Sequence, residues 1–140
     1  GSERRVEEWP EGSRRALVLV DSAAMVRPED AGTVVVTGSH GGLVGGDPAM
    51  ALRTAGFAAA FNDAGIGIDA AGLGRLAALD ARSIAALTVA AGSARIGEAR
   101  STFAEGVISA VNARAARLDA AVGMRAREVL LAWTRIAADG

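Results

Sequence analysis

The sequence predicts a single α/β domain: a mostly parallel sheet of about four strands flanked by helices in three layers, Rossmann-like or flavodoxin-like in kind. Three observations carry that expectation. Short unbroken apolar runs recur at residues 16–20, 33–36, 57–61 and 84–89, as parallel strands covered on both faces require. Helix-start chemistry or helical spacing separates the later runs. The 140 residues suffice for one core and not for a second.

The elements follow in order. Gly1-Ser2 reads as a tag scar, and the rest of residues 1–15 as a charged N-terminal arm, because Trp9, Pro10 and Gly12 interrupt any periodicity. The domain is expected over residues 16–140. The first apolar run ends in Asp21-Ser22, and Arg27 to Gly32 supplies turn chemistry before the second. Asp47-Pro48 then starts a short helix, with Asp as cap and Pro in the first helical position, and Gly56 ends it. After the third run Asp69 caps a helix that continues to about Arg82. From Ser101 onward Phe103, Val107, Ile108, Val111, Ala115 and Leu118 fall at helical spacing. Gly123 breaks that pattern, and residues 125–138 form a last amphipathic helix carrying Val129, Leu130, Trp133 and Ile136.

What is missing narrows the chemistry. The chain has no cysteine and no lysine, which removes thiol nucleophiles, cysteine-ligated metals, Schiff bases and the P-loop lysine. Its one histidine cannot form a multi-histidine metal site within one chain. A formal charge of −1 argues against nucleic acid as the main partner. No apolar run reaches the ~20 residues of a membrane span, and no secretory pattern is seen, so a cytoplasmic protein without cofactor or metal is expected. Only 4% of residues are aromatic, so each core side chain buries little area and a homo-oligomer is expected to add burial.

Parallel strands place their carboxyl ends on one edge, so the polar residues that follow each apolar run should meet there. His40, in Thr37-Gly38-Ser39-His40-Gly41-Gly42, is the candidate general acid or base, since imidazole titrates near neutrality. Asp63, directly after an apolar strand, is the second candidate for proton transfer, and Asn62 could orient substrate or stabilise an oxyanion. Ser39, Gly41 and Gly42 could bind an anion through hydroxyl and amide groups. Ser93, Arg95, Glu98, Arg100 and Ser101 form the most polar stretch after any strand; arginine forks grip carboxylates and phosphates, and Ser101 is expected to cap the following helix. Each motif also has a plain structural reading: a loop-ordering histidine, an Asx turn at Asn62-Asp63, a solvated ion-pair cluster at Arg95, Glu98 and Arg100.

Val34-Val35-Val36-Thr37-Gly38-Ser39-His40-Gly41-Gly42 resembles the strand and loop of universal stress proteins, where a Gly-Ser-His-Gly stretch helps to hold nucleotide phosphates. The resemblance is confined to that strand and loop, falls earlier in the chain than in that family, and carries no family function with it. The expectation is therefore a metal-independent enzyme acting on a small, polar, anionic substrate by acid/base chemistry, as a hydrolase, lyase or isomerase. The alternatives are a non-catalytic nucleotide- or anion-binding module and a subunit of a larger complex.

Overall fold

The apolar runs become the centre of one mixed sheet. The computed structural model describes residues 4–40, 56–64 and 74–137. In chain order the elements are β1 (Arg5–Glu8), β2 (Leu17–Val20), β3 (Val34–His40), β4 (Ala58–Asn62), α1 (Gly74–Ala81), β5 (Ala85–Val89), α2 (Ala99–Glu105), β6 (Ile108–Val111), α3 (Ala113–Arg117) and α4 (Ala126–Thr134). Two 3-10 turns, Ala23–Met25 and Pro28–Asp30, lie between β2 and β3. The expected helix from Asp47 and the helix start at Asp69 lie outside the described residues.

Sheet order follows chain order, β1-β2-β3-β4-β5-β6. The four strands read from the apolar runs, β2 to β5, are parallel to one another, while β1 and β6 add antiparallel edges. The sheet is thus mixed and six-stranded rather than mostly parallel with about four strands. Among the described residues no reversal of strand order occurs, unlike the Rossmann and flavodoxin orders, whose ligand crevice opens at such a reversal.

Both edge strands escape a periodicity reading for physical reasons. Residues 5–8 are mostly charged because β1 is an outer strand, and Val6 is its one inward apolar side chain. Residues 107–111 carry apolar groups at helical spacing, but Gly106 ends α2 there: a Cβ on Gly106 would lie 2.9 Å from Val89 Cβ and closer still to Thr102 O. The chain leaves the helix, and Ile108 and Ala110 pair with Val89 and Thr88 of β5. The helix expected across 101–118 is therefore replaced by α2, β6 and α3.

Alternation along the strands builds two cores. Leu17, Leu19, Val34, Val36 and Leu87 face Ala99 of α2 and Val129, Leu130 and Trp133 of α4. Val18, Val20, Val35, Phe61 and Ala86 face Leu76 and Leu79 of α1. In β4, Ala58, Ala59 and Ala60 are fully buried, so the sheet centre is thin and its neighbours approach closely. Asn112 locks the far side: its Oδ1 accepts N–H groups of Ala86 (3.0 Å) and Ala115 (2.9 Å), and its Nδ2 donates to Leu76 O (3.2 Å) and Ile84 O (2.9 Å). One buried amide thereby ties α1, β5 and α3 together with every hydrogen-bonding atom used. No helix among the described residues is long and apolar enough to cross a membrane.

Candidate functional site

The carboxyl ends of β2 to β5 and the amino end of β1 share one edge of the sheet, as the pairing registers require. At this edge the loop that precedes α2 is seated on the end of β3. Gly97 N–H donates to Gly38 O at 2.8 Å, and a Cβ on Gly38 would lie 2.8 Å from Gly97 Cα and closer still to Glu98 N and Gly97 C. Glycine is needed here for close approach of two backbones; Gly38 is not among the residues with positive φ.

Asp21, directly after β2, joins three elements. Its Oδ1 accepts Ala99 N–H at 3.0 Å and its Oδ2 accepts Arg4 N–H at 2.9 Å, so one carboxylate fixes both the start of α2 and the start of β1. Between them opens a cleft of about 580 Å³. Val6, Leu19, Ala99 and Ala104 supply apolar lining, and Arg4, Arg95, Arg100, Glu98 and Glu105 supply charge. Its size is that of a pocket for a small molecule.

The charges there divide into spent and available groups. Arg95 Nε donates to Glu98 Oε2 at 2.8 Å, and Arg95 Nη1 lies 3.1 Å from Glu105 Oε1. Ser101 supports this cluster by donating to Glu105 Oε1 (2.8 Å) and accepting Arg95 N–H (2.9 Å). The hydrogen bond to Glu98, aided by the charges of Glu105 and Glu98, raises the Arg95 pKa above its ordinary value, so this guanidinium stays charged. Among the described residues neither Arg4 nor Arg100 is in an ion pair.

The other residues expected at the edge are there, in mostly architectural roles. Ser39 Oγ accepts Ala23 N–H at 2.8 Å and so anchors the 3-10 turn after β2. Asn62 is 0% exposed; its Oδ1 accepts Ala64 N–H (2.7 Å) in an Asx turn and its Nδ2 donates to Ala94 O (3.2 Å). Asp63 Oδ1 accepts Ala91 N–H at 2.7 Å. Ser93 Oγ donates to Ala90 O (2.7 Å) and accepts Val107 N–H (2.9 Å), closing the turn after β5. His40 ends β3 in register with Asn62, which puts its backbone one strand from Asp63. The chemistry assigned to the His40 imidazole, and to Gly41 and Gly42, lies outside the described residues.

The structure therefore brings Arg95, Glu98 and Arg100 to the cleft, and leaves Ser39, Asn62, Asp63 and Ser93 out of its lining. It adds Arg4, Asp21 and Glu105, together with Ser101 of the polar stretch, which lies in the first turn of α2 and not at its cap, where Glu98 stands. Asp21 was legible as a polar residue at a strand end. Arg4 gave no signal, because a charged arm and a charged edge strand read alike. No group of acidic residues and histidine suited to a metal ion occurs among the described residues. No protein-family model, curated protein or solved structure matches the chain.

Proposed function

We propose that this protein binds a small anionic molecule in the cleft between β1, β2 and α2, with Arg100 and Arg4 as its charge anchors. The observation that supports the reading most is the pair of guanidiniums that have no ion-pair partner among the described residues, on a cleft of about 580 Å³ whose third arginine already pairs with Glu98 and Glu105. An anion entering there meets two forked donors, while the three carboxylates of the lining are engaged elsewhere, Glu98 and Glu105 with Arg95 and Asp21 with the N–H groups of Arg4 and Ala99, and Leu19, Val6 and Ala104 accommodate an apolar body. A cytoplasmic location goes with this reading, as the setting for a small charged metabolite.

The test is a thermal-shift and calorimetric screen with inorganic phosphate, sugar phosphates, nucleotides and small carboxylic acids. A ligand specific to the folded state raises the melting temperature. Arg100→Ala should weaken the best ligand about tenfold, and added salt should do the same to the wild type. Equal affinity in Arg100→Ala, or no shift with any anion class, would remove the proposal.

A second reading, acid/base catalysis by His40 and Asp63, draws support from the register that places these residues on adjacent strand ends. Under it, the substrate binds at the ends of β3 and β4 and not in the cleft, and His40→Ala lowers its turnover by about two orders of magnitude with the fold intact by circular dichroism. Absence of product on long incubation with wild-type protein would leave binding alone.

A further inference from the structure

β1 is the end of the sheet, and among the described residues no strand pairs with its outer edge. Arg4 N–H donates to Asp21 and Arg4 C=O accepts Asp21 N–H, so the main chain of Arg4 is turned toward β2. Alternation turns Val6 and Glu8 the same way and leaves the N–H and C=O groups of Arg5 and Glu7 facing outward. Side chains alternate as well: Val6 packs into the core of Leu17 and Leu19 on one face, and Arg5, across from Val20, reaches Asp30 on the other.

We propose that this edge docks a second copy of the same chain, by antiparallel pairing of β1 with β1 about Val6. The segment Arg4-Arg5-Val6-Glu7-Glu8 has its charges arranged in mirror order. Paired with itself about Val6, it sets Arg4 across from Glu8 and Arg5 across from Glu7, twice each by symmetry. That register also fits the alternation of the strand. Arg5 and Glu7 are the residues with outward main-chain groups, so they form the hydrogen-bonded pairs. Each facing pair also lies on a single face of the joined sheet, as the pleat demands. Shifting the centre to Glu7 sets Glu7 against Glu7, and shifting it to Arg5 sets Arg5 against Arg5, so like charges exclude the neighbouring registers.

Charged side chains on a sheet edge ordinarily deter pairing with other strands. Here the edge repels strands of another charge order and complements its own. Asp30 takes Arg5 Nη2 and Arg5 Nε is buried, which leaves the Nη1 hydrogens of this guanidinium for the facing Glu7. Trp9, 64% exposed, follows directly and adds apolar surface at the end of the pairing. So short an edge buries less than the roughly 1,200 Å² of a standard interface, and association in the micromolar range is expected. The proposal does not depend on the anion-binding reading: in the dimer Arg4 faces Glu8 of the second copy, and Arg100 is the cleft guanidinium left to an anion.

Sedimentation velocity over a concentration series of the full chain tests it. The wild type should pass from monomer to dimer. Glu8→Arg and Arg4→Glu, each alone, set like charges across the axis and should weaken the dimer about tenfold or more, whereas an equimolar mixture of the two should restore it as a heterodimer. Glu7→Pro removes an outward N–H that β2 does not use, so it should abolish dimerisation while far-UV circular dichroism and the melting temperature of the monomer stay as in the wild type. A wild type that remains monomeric at several hundred micromolar overturns the proposal. So does a dimer indifferent to Glu8→Arg and Glu7→Pro, which would place the interface on another face.

Discussion

Replacing Gly38 by alanine tests the link between fold and cleft, because one methyl group would collide with the loop that forms the cleft wall. The added Cβ would lie under 3.0 Å from three main-chain atoms of Gly97 and Glu98, so that backbone must retreat by about 1 Å. No flexible side-chain end can absorb the overlap. Overpacking of this kind costs about 1–3 kcal/mol, and loss of the 2.8 Å bond from Gly97 N–H to Gly38 O adds about 1 kcal/mol. Alanine's smaller freedom in the unfolded chain offsets about 0.4–1 kcal/mol. The net loss is about 2–3 kcal/mol, or about 6–12 °C in melting temperature for a domain of this size. Retreat of Glu98 also drags Ala99 from Asp21, so anion binding should weaken together with stability. Gly92→Ala is the control: nothing lies within 4 Å of its added Cβ and its φ is not positive, so it should be neutral or stabilising by up to about 1 kcal/mol. Calorimetric melting of both variants, with and without the best ligand, provides the comparison. A Gly38→Ala protein melting within a degree or two of the wild type, or a Gly92→Ala protein that loses as much, would refute the steric argument.

Asn112→Ala strips partners from two N–H and two C=O groups at a buried junction and should cost about 3–4 kcal/mol, read as a lower urea midpoint; a change under about 1 kcal/mol would mean that water replaces the amide. Asp21→Ala frees Arg4 N–H and Ala99 N–H at a half-buried site, so a smaller loss of about 1–2 kcal/mol is expected. That variant should also lose most anion affinity, as titration calorimetry would show, since the same carboxylate holds both walls of the cleft; wild-type affinity would detach Asp21 from the site.

How much of this was readable beforehand follows from what each residue's neighbours decide. Continuous runs such as Leu17-Val18-Leu19-Val20 announce strands because every side chain must be covered, a requirement that local sequence expresses directly. Ser39, Asn62, Asp63 and Ser93 were rightly placed at strand ends, yet their polar atoms are taken up by particular backbone groups of Ala23, Ala64, Ala91 and Val107. The choice between ordering a turn and meeting a ligand depends on partners distant in sequence, and no local pattern encodes it. The same holds for Arg95, whose ion pairs to Glu98 and Glu105 need the turn that begins α2.

By its own composition and order, the sequence determined the α/β class, the four parallel strands at the sheet's centre and the absence of thiol and lysine chemistry, because burial and reactive-group inventory are local or global properties of the residues themselves. Only tertiary structure decided that residues 108–111 form a strand, since Gly106 meets Val89 there and the pairing energy of β5 outweighs helical spacing. It alone also brought Arg4 beside Arg100. The two are separated by almost the whole sheet-forming sequence and share a cleft because β1 folds back antiparallel on β2, under α2.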